Sequence, residues 1–203
     1  MDLDHLIDLS GDYVTELFKK KLNTSLSFHT IDHTRNVVSA SHEIGIHAGL
    51  SQEEIQLLTI SAWFHDTGYT MAYAGHEMES VKIARDFLIG NGLDTERIEK
   101  ICSCVLATSF PQNPKSRMEM VLCDADFFHF SRTDYAEFES SLRIEWETIL
   151  NRHYTNQQWN SINLAMLINH HYFTDFGKTV LQERKQHNIL CIQQFLSSCN
   201  QSL

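Results

Sequence analysis

Three short segments of the chain combine imidazole or carboxylate side chains with apolar neighbours. They are residues 28–34 (FHTIDHT), residues 63–69 (WFHDTGY) and residues 121–127 (VLCDADF). Imidazole nitrogens and carboxylate oxygens are the expected ligands of Zn, Mn, Fe and, where oxygen dominates, Mg. Because a set of two histidines and two aspartates leaves positions open for water and substrate, the three segments favour a catalytic metal site over a structural one.

The adjacent pair His65 and Asp66 places a geometric condition on such a site. Neighbouring residues lie about 100° apart around a helix, so both side chains reach one ion only if it sits at the C-terminal end of that helix. Gly68 would then let the chain turn away. The apolar residues before the pair would hold the carboxylate near a core, where a metal partner removes the cost of burying its charge.

The elements that must position these residues read as helices throughout. With only 2 Pro and 8 Gly in 203 residues, a turn-rich strand fold is disfavoured. Ser51 and Glu54 form a predicted capping box at the start of one helix, and Gly11 marks a candidate interruption in the first. Apolar periodicity and end signals predict helices over residues 3–22, 30–48, 51–66, 76–90, 94–107, 118–130, 134–151, 157–172 and 178–198.

Length, charge and cysteine content limit the number of domains, the kinds of partner and the cellular compartment. The length predicts a single domain over residues 1–203, and the net charge of −10 disfavours a nucleic-acid duplex or an anionic membrane as partner. No 18-residue apolar run or basic, apolar leader occurs, and the five cysteines lie in apolar contexts without a CxxC pair. These features predict a cytoplasmic protein with buried, free thiols.

The order of the polar clusters resembles that of a known superfamily. The H…HD…D order of the HD-domain metal-dependent phosphohydrolases is matched by His33, His65, Asp66 and Asp126. The resemblance spans most of the chain and is strongest to a bacterial group of predicted HD phosphohydrolases. Residues 135–138 and 143–146 are similar to the Y-x-x-Y and R-x-E-Y signature of that group. Membership implies an all-α, single-domain helical bundle whose ligands converge from separate helices onto a central metal cleft.

The resemblance also implies the ligands. His33, His65, Asp66 and Asp126 would hold a divalent ion (Mn, Mg, Fe, Co, Ni or Zn), and Asp66 could bridge to a second ion assisted by His76. Asp124 is the rival of Asp126. The two side chains lie about 200° apart on a helix, so one of them would have another task, such as capping or supporting a ligand.

A further resemblance concerns His29, four residues before His33 and therefore on the same helical face if both are helical. Residues 28–33 are similar to the Tyr-His-Asn-x-x-His stretch of cyclic-nucleotide phosphodiesterases, with Phe28 and Thr30 in place of Tyr and Asn. In that family the first histidine gives a proton to the leaving oxygen. His29 is thus a candidate general acid, with a structural role at the helix start as the alternative.

Phosphate binding needs fixed donors and positive charge beyond the ion, and the candidates are Arg143, Lys115, Arg117 and Arg35. For Arg143, a structural network with Glu145 or Glu147 is the alternative. The predicted activity is hydrolysis of a phosphate ester or anhydride of a nucleotide-like small molecule, by a metal-activated water and with Asp66 and His29 as catalytic residues. The alternatives are a non-catalytic metal- or nucleotide-binding module and an HD-type di-iron oxygenase.

Overall fold

The helices follow the predicted order along the chain. The computed structural model describes residues 2–200 and, within them, contains nine α-helices and no strand. The helices are α1 (Leu3–Lys21), α2 (Ile31–His47), α3 (Gln52–Phe64), α4 (His76–Gly90), α5 (Thr95–Ala107), α6 (Arg117–Asp126), α7 (Tyr135–Ile149), α8 (Asn156–Asn169) and α9 (Gln182–Asn200). Short 3-10 turns cover Thr67–Thr70 and Phe128–Ser131, and a π-helical turn, Gly177–Leu181, leads into α9. The all-α prediction is confirmed.

Side-chain caps define where several helices begin. Reciprocal capping boxes start α3, α6 and α8, and their pairs are Ser51 with Glu54, Ser116 with Glu119, and Thr155 with Gln158. Each pair satisfies backbone donors that a first helical turn leaves without intrahelical partners. The predicted box at Ser51 is therefore present.

Helix α3 lies at the centre of the main core. Seven of its residues, on all sides of the helix, are buried, since α1, α2 and α5 pack around it. Helix α2 also packs against α6. Burial on every side explains why α3 is apolar around its circumference rather than along one stripe. The end of this central helix is thus fixed in position by the core.

A smaller core joins the C-terminal helices to the rest. Its buried members are Phe130, Tyr135, Leu167, Ile189 and Ile192. These residues come from the 3-10 turn after α6 and from α7, α8 and α9. The last three helices therefore form a second group that packs beside the chain segment leaving α6.

Several helices differ from the sequence-based bounds: α8 ends at Asn169 rather than at 172, and α9 begins at Gln182 rather than at 178. Helix α3 stops at Phe64, and α6 stops at Asp126 because Phe127 leaves the helical region with φ −94° and ψ 15°. Both changes place candidate ligands at helix ends. Helix α1 continues through Gly11, where the missing side chain makes room for the Trp63 indole; a Cβ there would lie 3.1 Å from the ring.

Within residues 2–200, no helix has the length and apolarity needed to cross a bilayer. The five cysteines are free, and Cys102, Cys104 and Cys123 are buried as expected. Cys191, by contrast, is exposed, because it lies on the outer face of α9.

Candidate metal centre

Three predicted ligands converge on one point. A ring nitrogen of His33, a ring nitrogen of His65 and a carboxylate oxygen of Asp66 all lie within 4.8 Å of one another. The Oδ2 atom of Asp66 is 3.4 Å from His33 Nε2 and 3.2 Å from His65 Nε2, and the two Nε2 atoms are 3.4 Å apart. All three residues are buried. This is the spacing that atoms have when they surround a common ion without bonding to one another.

The chain geometry around α3 produces this arrangement. His65 is the C-cap of α3, and Asp66 (φ −105°, ψ 5°) leads into the 3-10 turn. The amide of Gly68 donates to Ser80 Oγ at 2.8 Å, which fastens the turn to α4. A Cβ at Gly68 would come within 1.8 Å of the His76 carbonyl oxygen, so only glycine permits this approach. The HDTG sequence thus places ligands at the C-terminal end of α3.

Hydrogen bonding fixes which nitrogen of His65 is free. Its Nδ1 lies 2.8 Å from the carbonyl oxygen of Ala62, which can only accept, so Nδ1 carries the proton. The lone pair of the neutral ring is then on Nε2, the atom that faces Asp66 and His33. A backbone carbonyl that orients an imidazole in this way is a common support of metal-ligating histidines.

Asp66 supplies the clearest sign of a cation. Its Oδ2 atom is buried and has no hydrogen-bond partner in the part of the chain that the structure describes. An unpaired, buried carboxylate oxygen is costly, and a cation held by Oδ2 and the two Nε2 atoms would remove that cost. The donor set therefore fits a divalent metal ion.

The charges of the cluster are strongly coupled. Burial alone would raise the pKa of the Asp66 carboxyl, but the His65 and His76 rings beside it lower that pKa well below its usual range. Burial opposes protonation of His65, yet Asp66 and Asp126 raise the pKa of its ring above the usual value. Carboxylates that stay ionised at this depth attract a cation.

Asp126 and Asp124 lie in different surroundings. Asp126 Oδ1 is 3.3 Å from His33 Nε2 and 3.7 Å from His65 Nε2, so its carboxylate faces the cluster. Asp124 instead accepts hydrogen bonds from the Phe173 amide (2.7 Å), the Thr174 amide (2.9 Å) and the Thr174 hydroxyl (2.7 Å). The structure thus brings Asp126 to the candidate metal centre, while Asp124 fastens the segment after α8.

His76, the candidate ligand of a second ion, lies at the same centre. Its Nε2 is 3.4 Å from Asp66 Oδ1, the oxygen opposite the one that faces His33 and His65. Burial opposes protonation, but Asp66 raises the pKa of His76 above its usual value. Asp66 therefore has imidazole nitrogens on both sides, as a bridging carboxylate would.

His29 is held by a carboxylate that the sequence does not single out as functional. The Nδ1 atom of His29 lies 2.5 Å from Glu145 Oε1, and the amides of Phe28 and His29 donate to Oε2 at 2.9 and 3.1 Å. Burial raises the pKa of Glu145, but these hydrogen bonds lower it below the usual value overall. The His29 ring is thus fixed in orientation, and Nδ1 carries a proton toward Glu145.

The other ring nitrogen of His29 faces Tyr69. Its Nε2 lies 3.1 Å from the Tyr69 hydroxyl. The Tyr69 ring stacks between His29 and His76, with centroid distances of 4.2 and 3.8 Å. Burial raises the pKa of Tyr69 far above its usual range, so the phenol keeps its proton. Tyr69 therefore joins the candidate acid to the metal centre.

The four predicted phosphate-binding cations lie elsewhere. Arg35 is exposed on α2 and pairs with Asp32 at 3.2 Å. Arg143 bonds to Glu147 at 3.1 Å, to Asn156 at 2.8 Å and to the Tyr154 carbonyl, which ties α7 to the start of α8. Lys115 and Arg117 lie at the N-terminal end of α6, and Lys115 bonds to Asn113. Nine residues of helix separate Arg117 from Asp126, about 13 Å. The structure does not bring these cations to the centre.

A cavity of about 710 Å³ opens beside the centre. Its lining includes His29, Asp66, His76 and Asp126 together with apolar side chains of α7 and α8. His129 and His170 also line it. Sequence reasoning did not place Tyr69, His129 or His170 here; only Tyr69, within the WFHDTGY segment, carried a signal.

The helical fold and the His, His-Asp and Asp arrangement match a known family. The sequence matches the family model of the HD domain over residues 30–131, about half of the chain. The chain belongs to the HD-domain family. The HD domain is the signature of metal-dependent phosphohydrolases, and HD domains bind divalent metals.

A solved structure shows the same fold. It is the crystal structure of a Lactobacillus plantarum protein determined as a structural-genomics target, which is 14% identical in sequence to this chain. The two superpose with a TM-score of 0.66, over 97% of this chain and 95% of the other. No functionally curated protein matches this chain significantly in sequence.

Proposed function

We propose that the protein is a metal-dependent phosphohydrolase that cleaves a phosphate ester or anhydride of a nucleotide-like small molecule. The observation that carries the proposal is the unpartnered Oδ2 of Asp66, which faces the Nε2 atoms of His33 and His65. Asp66 itself lines the cavity. Three inward-facing ligand atoms that lie within 4.8 Å of one another are the arrangement expected of a cation site.

The proposed ligands are His33, His65, Asp66 and Asp126, with His76 as the additional ligand of a second ion. When bound, a divalent ion supplies positive charge to the phosphoryl oxygens and lowers the pKa of the attacking water. Asp66 offers Oδ2 to the ion, and its negative charge also orients that water. The Ala62 carbonyl keeps the proton of His65 away from the ligand side of the ring.

His29 is the proposed general acid. Glu145 holds the ring in a fixed orientation, since the carboxylate lies 2.5 Å from Nδ1. From Nε2, the proton moves toward the leaving oxygen on the cavity side, where the Tyr69 hydroxyl is the neighbour. A module that only binds its ligand has no need of an oriented proton donor, so this pair supports catalysis over the non-catalytic alternative.

The proposed partner is a small phosphorylated molecule rather than a nucleic-acid duplex or a membrane. The net charge of −10 repels both large polyanions, whereas a cation at the end of a cavity can attract a small anion. The buried free thiols Cys102, Cys104 and Cys123 fit a reducing compartment, for which we propose the cytoplasm.

The test is a phosphate-release screen over mono-, cyclic and triphosphorylated nucleotides and simple esters. Each substrate is assayed with Mn, Mg, Fe, Co, Ni and Zn, beside the Asp66→Ala protein. The matched control is Asp32→Ala, because Asp32 is an exposed carboxylate on α2, paired only with Arg35 among the residues described.

Metal-dependent phosphate release by the wild type and the D32A protein, lost in D66A, is the expected result. Equal release by D66A would overturn the assignment of Asp66. Oxygen consumption by the iron-loaded protein without phosphate release would favour the oxygenase alternative. Metal binding with no turnover of any substrate would favour the binding module.

A further inference from the structure

Two chemically different groups of residues line the cavity. The segment before α2, the turn after α3, the start of α4 and the end of α6 contribute His29, His76 and the carboxylates, and His129 and His170 add two further imidazoles. The other group, which we call the apolar wall, is formed by Leu142, Trp146, Ile162, Ala165 and Met166 of α7 and α8. A ligand that fills the cavity must therefore be polar at one end and apolar at the other.

Positive charge is scarce in this cavity. Its lining, which falls wholly within residues 2–200, includes no lysine and no arginine, whereas Asp66, Glu77 and Asp126 contribute carboxylates. The candidate cations Arg143, Lys115 and Arg117 are engaged elsewhere or lie at the far end of α6. A di- or triphosphate chain needs cationic or amide donors along its length. The cavity can neutralise one phosphoryl group at the metal centre but offers nothing comparable for a second.

The rest of the cavity favours a flat, apolar group. Phe127 and Phe110 also line it, and Phe110 is 85% exposed. Aromatic side chains with solvent-facing surface gain most by contact with another ring or with hydrocarbon. The area that a ligand can cover here is therefore mostly apolar.

We propose that the substrate is a phosphate ester with a single phosphoryl group and a large planar apolar group that lies against the apolar wall. This inference rests on the proposed function and narrows it by excluding nucleoside di- and triphosphates. In the reaction, water oxygen bonds to phosphorus, the bond from phosphorus to the ester oxygen breaks, and that oxygen takes the proton from His29. The proton released by water restores His29, so the products are the phosphate and the apolar alcohol or phenol.

Calorimetric titrations test the ligand class independently of turnover. The probes are 1-naphthyl phosphate, methyl phosphate, pyrophosphate and ATP, each added to the Mn²⁺-loaded His29→Asn protein, which lacks the proposed proton donor and so binds the esters without rapid cleavage. We expect 1-naphthyl phosphate to bind at least about tenfold more tightly than methyl phosphate because of the buried ring. We expect pyrophosphate and ATP to bind no more tightly than methyl phosphate.

Two substitutions in α8 test whether the planar group of the ligand lies against the apolar wall. Ala165 lines the cavity and is exposed, so Ala165→Trp fills space at the apolar wall without disturbing the core. Ile168, which is 51% exposed and does not line the cavity, gives the matched control Ile168→Trp. A165W should lose the tenfold preference for the naphthyl ester, and I168W should keep it.

The outcomes separate this inference from the proposed function. Tighter binding of pyrophosphate or ATP than of 1-naphthyl phosphate, or an unchanged preference in A165W, overturns the ligand class even if phosphate is released. Selective binding of the naphthyl ester without phosphate release from any substrate would overturn the proposed hydrolase activity. It would still support the proposed class of ligand.

Discussion

The Glu145 carboxylate hydrogen-bonds to both the backbone amide and the ring of His29, although Glu145 and His29 are 116 residues apart in the sequence. One carboxylate oxygen accepts a hydrogen bond from the His29 amide at 3.1 Å, and the other oxygen lies 2.5 Å from Nδ1 of the His29 ring. The carboxylate is fully buried, and Tyr73 donates a further hydrogen bond to Oε1 at 3.2 Å. Helix α7 thus holds the start of α2, where the candidate acid is located.

The pair predicts a specific kinetic effect of Glu145→Gln. The amide keeps the shape of the side chain but removes the negative charge that orients the Nδ1 side of the His29 ring. We expect kcat to fall roughly 10-fold or more and KM to change little, since a proton donor of this kind contributes about 100-fold or more. The measurement is kcat and KM as a function of pH, with a substrate from the phosphate-release screen.

Glu147→Gln is the control for this effect, because Glu147 lies one turn from Arg143 on the same helix and bonds to it and to the Tyr154 amide. E147Q should retain the wild-type kcat. Wild-type kcat and pH profile in E145Q would show that Glu145 only supports the fold around His29.

The two aspartates of α6 should separate metal binding from stability. In Asp126→Asn, loss of the charge facing His33 and His65 should weaken metal binding by more than the about 10–100-fold that removal of an outer-shell partner costs. In Asp124→Asn, the amide cannot accept all three hydrogen bonds from residues 173 and 174, so the free energy of unfolding should fall by about 1–3 kcal/mol. Metal competition titrations and urea unfolding measure the two effects.

The contrast between these variants is the check. D126N should remain a folded helical protein with a cooperative unfolding transition, and folded D124N should bind metal with the wild-type affinity. A D124N protein that loses metal with unchanged stability would reverse the assignment.

Gly68 should tolerate no side chain. Its Cβ would lie 1.8 Å from the His76 carbonyl oxygen and 2.8 Å from the Ser80 amide nitrogen, and both are backbone atoms that cannot swing away. We expect Gly68→Ala to lower the free energy of unfolding by about 3 kcal/mol or more and to weaken metal binding, since the turn must move. Urea unfolding with and without Mn²⁺ measures both.

Gly90→Ala is the matched control. Gly90 ends α4, and a Cβ there would meet nothing within 4 Å. The free energy of unfolding of the G90A protein should stay within about 1 kcal/mol of the wild-type value. If G68A is equally mild, the turn after Asp66 is not closely packed against α4.

Lys185 predicts a pH dependence of stability unconnected with the metal centre. It is fully buried, donates to the His170 carbonyl at 2.7 Å and lies 5.1 Å from the Tyr172 ring centroid. Burial lowers the pKa of Lys185 to about 8. Between that value and about 10.4, the unfolded chain binds a proton that the folded one does not, so this residue makes stability rise with pH.

The comparison of Lys185→Met with wild type isolates this contribution. Between pH 7.5 and 9.5, the difference in unfolding free energy should shift by up to about 2 kcal/mol in favour of the wild type. Buried Cys104, whose pKa burial raises to about 12, acts in the opposite direction but is present in both proteins and cancels. A difference that does not depend on pH would mean that Lys185 stays charged in the fold.

Local chemistry explains why the helices could be predicted. The predicted range 76–90 matches α4 (His76–Gly90), and the capping box of Ser51 starts α3, because caps and apolar periodicity depend on residues close in sequence. The predicted helix over 118–130 ends early at Asp126. No turn residue marks that stop, since Phe127 leaves the helix under the packing of the second core.

In the candidate site, too, arrangements of residues close in sequence could be predicted, whereas contacts between distant helices could not. His65 and Asp66 are adjacent, so their shared position at a helix end could be argued from the sequence alone. The His29 and Glu145 pair depends on contact between distant helices. Resemblance drew attention to residues 143–146, but the charged side chain in that segment that contacts His29 is Glu145, whereas Arg143 bonds to Asn156. Arg143, Lys115 and Arg117 were chosen by residue type, which does not determine location.

Helices α3 and α6 both end at the candidate metal centre, and this shared feature sets an order of events. The C-terminal end of a helix carries about half a negative elementary charge, which here adds to Asp66 and Asp126. An approaching phosphate is repelled until a cation has reversed the local sign. Binding should therefore be sequential, with the ion first and the anion second, so that the free cation concentration sets the fraction of protein able to accept substrate.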